Sequence, residues 1–187
     1  VGFMESHDKE RLMYKNITYG NSTTEYDIKN FNNSLDRMKT AAALFLTVPG
    51  PKMIWQFGEL GYEKSINTCE DGTVRSDCKL SPKTSAFELD MDQDTERMKL
   101  YGVWSRIIEL RKIEKIFNTD RFNINFSSDM KYLTLEDKDP GDGISKIIIV
   151  ANFGLDQKEI PKAIIPNGSW YNIYANNRLT LVSNDTN

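Results

Sequence analysis

The sequence predicts an α/β segment over residues 1–115, followed by an antiparallel β-domain over residues 116–187. Two observations predict this order. Up to residue 115, short apolar runs alternate with longer segments of helical periodicity, which is the rhythm of two βα units. From residue 116 onwards, short alternating runs are separated by turn residues. Two βα units leave strand edges and helix faces uncovered, so we expect the first segment to be the end of a larger parallel α/β barrel.

The composition does not indicate a nucleic-acid-binding or a membrane protein. The 187 residues include 24 basic and 27 acidic side chains, for a net charge of −3. This near balance gives no electrostatic reason to expect a nucleic acid or a membrane surface as a partner. No apolar run reaches the roughly 20 residues of a membrane-spanning helix, and the first residues do not have the pattern of a signal peptide.

The first βα unit begins with the apolar run "VGFM", which predicts a buried strand over residues 1–4. Residues 15–33 are rich in Asn, Thr, Ser and Gly and predict a long loop. Ser34 is the predicted N-cap of a helix, whose apolar positions then recur at helical spacing. The run "VPGP" over residues 48–51 ends this helix, because neither its prolines nor its glycine continue one.

The second βα unit follows the same plan. The run "KMIWQF" predicts a strand over residues 52–57. The polar stretch 59–88 predicts a loop, and its length is typical of functional loops. The next helix is predicted over residues 94–115, with Asp94 or Thr95 as its cap and a broad apolar face.

Two cysteines, Cys69 and Cys78, lie in this long loop. A disulfide between them is sterically reasonable and would stabilise the loop by roughly 2–3 kcal/mol. Two free thiols are an alternative of equal weight. A metal site is not expected, because the segment has neither a second cysteine pair nor a histidine.

The β-domain is predicted from its turns and from its alternation. The turn signals "DPGDG" and "PNGS" separate short runs in which apolar and polar residues alternate. Such runs predict an antiparallel domain of about six strands. The predicted strands are 121–126, 131–137, 144–153, 158–166, 169–175 and 178–183.

A cluster of polar residues, "ESHD", follows the first predicted strand. In a parallel α/β barrel the chemistry lies where strands run out into their following loops. An imidazole and a carboxylate, here His7 and Asp8, can bind sugar hydroxyls or stabilise positive charge that develops at a sugar carbon. The alternative is an ordinary solvated strand end.

The stretch "SHDKER" resembles the segment after the seventh barrel strand in the α-amylase superfamily of glycoside hydrolases. There an apolar strand precedes an Asn- or Ser-His-Asp triplet, and an Arg three residues later is common in members that degrade cyclodextrins and pullulan. Ser6, His7, Asp8 and Arg11 match this pattern. The run "AAALFLTVPGPKMIWQFGELGY" is similar to the seventh helix, the eighth strand and the turn after it. "ERMKLYGVWSRIIELRK" resembles the eighth helix, and "KIIIVANFG" and "GSWYNIYANNRLTLV" resemble strands of the following β-sandwich.

The resemblance implies a fold and a role for the "SHD" residues. The fold is α/β plus all-β: the last two βα units of a TIM (β/α)8 barrel, followed by an antiparallel β-sandwich, domain C. Asp8 matches the third catalytic carboxylate, which binds sugar hydroxyls at the cleavage site, distorts the ring and stabilises the transition state. His7 matches the histidine that hydrogen-bonds the same sugar.

Four further residues are candidates for substrate binding. Arg11 and Glu5 are candidates for positioning, with a solvated charge as the alternative for each. Trp55, within the predicted eighth strand, is either a core residue or a platform for a sugar. Glu59, just past that strand, could touch substrate or a neighbouring loop.

The implied activity is retaining hydrolysis of α-1,4-linked glucans such as starch, glycogen and maltodextrin, by a larger enzyme whose C-terminal part is this chain. Retaining chemistry needs a nucleophile and an acid/base carboxylate about 5–5.5 Å apart. In this superfamily both follow the fourth and fifth barrel strands, which lie upstream of Val1, so we expect the chain to be inactive alone. No cofactor or metal is expected here, and the superfamily's calcium sites would lie in upstream parts of the parent enzyme.

Two alternatives remain open. "SHD" and "GPKMIWQFGELGY" also resemble 1,4-α-glucan branching enzymes, which pass the glycosyl-enzyme intermediate to a glucan hydroxyl; Arg11 slightly favours a hydrolase. The other alternative is a non-catalytic carbohydrate-binding or structural β-domain.

The abundant Asn and the loop cysteines suit a secreted or periplasmic bacterial enzyme, whereas a branching enzyme would be cytoplasmic. The unpaired strand edges of an incomplete barrel predict self-association.

Overall fold

A computed structural model of the chain describes residues 1–161, 163–173 and 177–181, the last of these by their backbone. The chain divides into two compact units, Val1–Gln157 and Lys158–Asn187. The helices and strands of the first unit are β1 (Gly2–Phe3), α1 (Leu12–Tyr19), α2 (Phe31–Thr47), β2 (Lys52–Met53), α3 (Thr95–Ile113), β3 (Phe122–Asn125), β4 (Met130–Glu136) and β5 (Lys146–Asn152).

β1 and β2 form a parallel pair, with Gly2 opposite Lys52 and Phe3 opposite Met53. The pair is shorter than predicted, because the strand expected over residues 52–57 ends at Met53. Both residues of β1 are exposed, so the prediction of a buried strand is wrong. Because the two strands are adjacent and parallel, the segments that follow them begin at the same edge of the pair.

The helix α1 occupies part of the segment predicted as a loop from residue 15 onwards, so that prediction is wrong there. Its sequence "LMYKNITY" contains Asn and β-branched residues, which lower helix propensity. Two tertiary contacts override this weakness. Met13 is completely buried in the core. The Glu5 carboxylate accepts a 2.7 Å hydrogen bond from the Leu12 backbone N–H at the start of the helix, where a negative charge also interacts favourably with the helix dipole.

The helix α2 has Asn30 as its N-cap rather than the predicted Ser34. The Asn30 side chain accepts hydrogen bonds from two backbone N–H groups of the first turn. Ser34 is instead buried within the helix, where its hydroxyl donates to the Ile28 carbonyl oxygen over 2.6 Å. The C-terminal end of α2 is at Thr47, as the "VPGP" run predicts.

The helix α3 follows Asp94, which is one of the two predicted caps. The Asp94 carboxylate accepts hydrogen bonds from the backbone N–H groups of Glu96 and Arg97, at 2.8 and 3.0 Å. The helix ends at Ile113, slightly before the predicted end, because a short 3₁₀ helix over Lys115–Asn118 takes over. Neither α3 nor another helix in the described ranges has the length and apolarity needed to cross a membrane.

β3, β4 and β5 form an antiparallel sheet in that order, which confirms three of the predicted strands. The sheet and the helices share one apolar core, in which inward-facing residues of β4 and β5 pack with α2 and α3. Arg37 of α2 also donates to the carbonyl oxygens of Phe153 and Gly154, just after β5. Residues 116–157 therefore belong to the same compact unit as the helices. The division after residue 115 into a barrel part and a β-sandwich stays a prediction.

The second unit contains an antiparallel pair of strands, β6 (Gly168–Asn172) and β7 (Asn177–Leu181). These strands agree with the predictions over 169–175 and 178–183. The remaining predicted positions, 174–176 and 182–183, lie outside the described residues.

The strand predicted over residues 158–166 is wrong. Residues 158–161 and 163–166 are described there and form turns or irregular backbone. Pro161 and Pro166 explain the difference, because a proline has no backbone N–H to donate to a neighbouring strand.

Candidate functional site

The loops that follow β1 and β2 meet at one edge of the strand pair, and they bring the predicted residues His7 and Trp55 together. Their ring centres lie 6.0 Å apart, with the ring planes inclined by 51°. Trp55 is half-buried, and its ring also lies 5.7 Å from the guanidinium carbon of Arg11. Trp55 therefore lines this edge, where one part of the ring is covered and another is accessible.

Asp8 lies beside His7 as an exposed carboxylate, with 57% of its side chain accessible. His7 Nε2 lies 2.9 Å from Asp8 Oδ2, and the Lys79 ammonium donates to Oδ1 over 2.6 Å. The hydrogen bond from Lys79 lowers the pKa of Asp8 below its ordinary value, and the charges of His7, Lys79 and Lys9 act in the same direction. Asp8 thus combines accessibility with a preference for the ionised form, which an electrostatic role requires.

Glu5 and Arg11 form a buried ion pair beneath this edge. Their side chains are only 4% and 6% exposed, and Arg11 Nη1 lies 3.3 Å from Glu5 Oε2. The alternative of a solvated charge is therefore wrong for both residues. Burial raises the pKa of Glu5, although the hydrogen bonds from the Leu12 N–H and from Arg11 act against it, and the charge of Glu59 adds to the increase.

Arg11 joins the two loops. Besides its ion pair with Glu5, Arg11 Nη1 donates to the Gln56 carbonyl oxygen over 2.7 Å. Its guanidinium carbon lies 4.9 Å from the centre of the Tyr62 ring, within the range of a cation–π interaction. Arg11 thus holds the segment after β2 against the segment after β1. Its predicted role in positioning substrate stays a prediction.

The turn held by Arg11 has a demanding backbone conformation. Phe57 has a φ of 67°, in the left-handed region that bulky residues rarely adopt. An added Cβ at Gly58 would lie 3.0 Å from Glu5 Oε2, so only glycine fits comfortably against that carboxylate. Such local strain persists where surrounding contacts fix the chain, and it is common at functional sites.

Glu59 lies in the 3₁₀ helix over Gly58–Leu60, immediately after this turn. Its side chain is half-buried, and the buried oxygen Oε2 finds no hydrogen-bond partner within the described part of the chain. The geometry places Glu59 close enough to Glu5 for its charge to act on that carboxyl group. Its predicted contact with substrate or with a neighbouring loop stays a prediction.

Two residues of the site carried no signal in the sequence analysis. Glu10 accepts hydrogen bonds from the Ser65 hydroxyl at 2.6 Å and from the Ile66 backbone N–H at 3.0 Å, and it thereby attaches the long loop to the site. Lys79 reaches Asp8 from the far end of the same loop. Both contacts join distant parts of the chain, so periodicity could not reveal them.

The long loop between these contacts is closed by a disulfide between Cys69 and Cys78, whose Cα atoms lie 5.1 Å apart. Of the two alternatives that the sequence allows, the structure therefore contains the disulfide. No cluster of three or more His, Cys, Asp or Glu side chains suitable for a metal occurs among the described residues.

Reduction of the Cys69–Cys78 disulfide is expected to lower the free energy of unfolding by roughly 2–3 kcal/mol, because it releases a loop that is constrained in the unfolded state. The measurement is urea unfolding followed by circular dichroism, with and without a reductant. In a Cys69→Ser/Cys78→Ser double variant the reductant should have no effect. An unchanged unfolding midpoint of the natural chain after complete reduction would contradict the prediction.

Comparison of the sequence with models of known protein families finds no match, and comparison with curated proteins finds none. Any assignment of function therefore rests on the motifs and on the geometry of this edge.

Proposed function

We propose that the chain is part of an α-glucan-active, retaining glycoside hydrolase of the α-amylase class, acting on α-1,4-linked glucans. On this proposal the chain supplies the carboxylate that stabilises the transition state, Asp8, and is inactive alone. One observation carries the proposal. An exposed, ionised Asp8 lies beside His7 and near Trp55, at the edge where the loops after two parallel strands meet.

The chemistry of glycoside cleavage explains why this arrangement is suitable. Positive charge develops on the sugar ring as the glycosidic bond breaks. A fixed carboxylate such as Asp8 stabilises that charge and accepts hydrogen bonds from sugar hydroxyls. His7 would donate a hydrogen bond to the same sugar, and the Trp55 ring would pack against its apolar face. Glu5 and Arg11 would act from beneath by holding the two loops in register.

The remaining catalytic groups belong, on this proposal, to the parent enzyme. A nucleophile and an acid/base carboxylate about 5–5.5 Å apart would come from barrel strands outside this chain. Calcium, if the parent binds it, would also be held there. The parallel pairing of β1 with β2 is the arrangement that neighbouring strands of a (β/α)8 barrel have, and it supports the proposed relationship to the last two βα units.

The transferase alternative shares the same intermediate. A 1,4-α-glucan branching enzyme would use Asp8 and His7 in the same way, and would differ in the acceptor that attacks the glycosyl-enzyme. The disulfide favours a hydrolase in an oxidising compartment, secreted or periplasmic, over a cytoplasmic branching enzyme.

A carbohydrate-binding role for the β-sheet is a second candidate, because one observation favours it. Phe122 and Ile124 lie two residues apart on β3 and therefore share a face of the strand, and Phe126 follows directly after it. All three side chains are exposed. Exposed aromatic rings in a row can pack against successive sugars, so this role predicts glucan binding that Phe122→Ala and Phe126→Ala abolish.

The test of the proposed function compares this chain with the full-length protein that contains it, on soluble starch. We expect the full-length protein to release reducing ends and this chain to release none. Asp8→Asn in the full-length protein should lower kcat by about 10²–10³-fold, because it removes a preorganised charge from the transition state. Asp36→Asn is the matched control, since Asp36 is an exposed aspartate on α2 that forms an ion pair with Lys39 of the same helix.

Three other results would redirect the assignment. A fall in iodine staining without new reducing ends would indicate the branching reaction. Full activity of Asp8→Asn would contradict the role assigned to Asp8. Glucan binding by this chain that depends on Phe122 and Phe126, without any activity of the full-length protein, would favour the binding domain.

A further inference from the structure

The contact between Lys79 and Asp8 joins the long loop to the candidate site. Lys79 Nζ lies 2.6 Å from Asp8 Oδ1, although 71 residues separate the two in the sequence. Both side chains are partly accessible, with 42% of Lys79 and 57% of Asp8 exposed. A pair of this kind between exposed side chains contributes little to stability by itself. The main effect of the pair is therefore on the position and the ionisation of the Asp8 carboxylate.

The two oxygens of Asp8 have different neighbours. Oδ1 accepts the hydrogen bond from Lys79, and Oδ2 faces His7 Nε2 at 2.9 Å. The Asp8 backbone N–H also donates to the Ser6 hydroxyl oxygen over 3.3 Å. The rotation of the carboxylate about its own axis is consequently defined by Lys79 on one side and by His7 on the other. Without Lys79, nothing among these contacts would hold Oδ1.

The backbone from which Lys79 projects is fixed by the disulfide. Cys78, its immediate neighbour, is bonded to Cys69 and ends the 3₁₀ helix over Ser76–Cys78. The loop has internal backbone hydrogen bonds, from the Cys69 N–H to Thr73 and from the Cys78 N–H to Arg75. At its other end, Glu10 binds Ser65 and Ile66. The loop is thus anchored on both sides, and Lys79 directly follows the disulfide-bonded Cys78.

We propose that Lys79 is the positioning residue of Asp8, and that the Cys69–Cys78 disulfide keeps it there, so that reduction of the disulfide weakens the hold on Asp8. This inference rests on the proposed function only in taking Asp8 as the sugar-binding carboxylate. In the reduction, a dithiol donates two electrons and two protons to the S–S bond, which gives two thiols and leaves the dithiol as its own disulfide. The loop then keeps its hydrogen bonds and ion pairs but loses its covalent link.

The ionisation of Asp8 reports directly on this contact. The charged groups that act on Asp8 are Lys79, His7 and Lys9, and the hydrogen bond from Lys79 is the largest cause of the lowered pKa. A carboxyl group whose pKa is lowered by folding stabilises the folded state above its ordinary pKa of 3.8. That contribution is lost as the pH falls through the lowered value. Loss of the Lys79 contact should therefore move the titration of Asp8 to higher pH.

The experiment is a carboxyl ¹³C NMR titration of the whole chain, in which Asp8→Asn identifies the Asp8 signal. Lys79→Met should raise the pKa of Asp8 towards its ordinary value, and Lys79→Arg should keep it low. Lys9→Met is the matched control, because it removes a neighbouring positive charge that makes no hydrogen bond to Asp8, and it should have a smaller effect. An unchanged Asp8 titration in Lys79→Met would overturn the proposal.

The disulfide is tested in the same titration. Reduction of the natural chain should raise the pKa of Asp8, and reduction of Lys79→Met should not raise it further. The Cys69→Ser/Cys78→Ser variant should behave like the reduced chain, with circular dichroism used to establish that it is folded. Equal shifts on reduction in the natural chain and in Lys79→Met would overturn the link to the disulfide. The titration contains no glucan, so it tests the contact between Lys79 and Asp8 whether or not the proposed function is correct. Failure of the proposed function would show only in the starch assay.

Discussion

Replacing Arg11 with methionine is expected to lower the free energy of unfolding by about 3–5 kcal/mol, which is the usual cost of removing one partner from a buried ion pair. Glu5 would keep its carboxylate in a site that is almost closed to water, without the guanidinium that faces it at 3.3 Å. The Gln56 carbonyl oxygen would also lose its 2.7 Å hydrogen bond. The measurement is chemical unfolding at neutral pH, followed by circular dichroism.

The matched control is Arg75→Met, because Arg75 is half-exposed and its partners Asp71 and Asp77 are also exposed. We expect a change of less than about 1 kcal/mol there. The double variant Glu5→Gln/Arg11→Met should recover part of the loss, since it removes the unpaired charge. A loss below about 1 kcal/mol for Arg11→Met alone would show that the pair is more hydrated than its burial indicates.

Replacing Phe117 with alanine should have a comparable effect, about 3–5 kcal/mol, through the cavity that it leaves. Phe117 is 1% exposed and lies in the short 3₁₀ helix between α3 and the sheet. The guanidinium carbon of Arg111 lies 5.5 Å from its ring centre. Because Phe117 belongs to the core shared by the helices and by β4 and β5, its loss should destabilise both together.

The prediction therefore has a second readout, the number of unfolding transitions. Near-ultraviolet circular dichroism and tryptophan fluorescence should show coincident transitions if residues 1–157 unfold as one unit. Phe122→Ala is the control, because Phe122 is exposed on β3 and should change stability by less than about 0.5 kcal/mol. A small effect of Phe117→Ala, with separate transitions, would indicate that the sheet folds apart from the helices.

Local patterns predicted those elements whose stability is local. The helix α3 has a side-chain cap at Asp94 that is visible in the sequence, although Met98 and Tyr101 of its predicted apolar face are exposed. The strands β4 and β5 alternate between buried and partly exposed residues, which is the pattern that predicted them. In contrast, α1 has a weak helix propensity and depends on the burial of Met13 and on the bond to Glu5. Such tertiary contacts override local preference, so the sequence pattern indicated a loop.

The candidate site was predictable in part, for a similar reason. His7 and Asp8 lie together in one short motif, and the parallel order of the two βα units is enough to bring Trp55 to the same edge. Whether Glu5 and Arg11 were buried or solvated depended on packing from the segment after β2, so both alternatives remained open. The contact of Lys79 with Asp8 depends on the path of an aperiodic loop, and no local signal encodes that path.

The parallel pairing of β1 with β2 also determines when the candidate site can form during folding. The pair joins residue 2 to residue 52, and closing a flexible loop of that length costs on the order of 3 kcal/mol in chain entropy. The 17-residue helix α2 lies within the loop, so its prior formation would leave fewer flexible residues to close. The edge that carries Asp8 is therefore expected to assemble late. Substitutions that slow the formation of α2 would delay it, even where they lie far from every residue of the site.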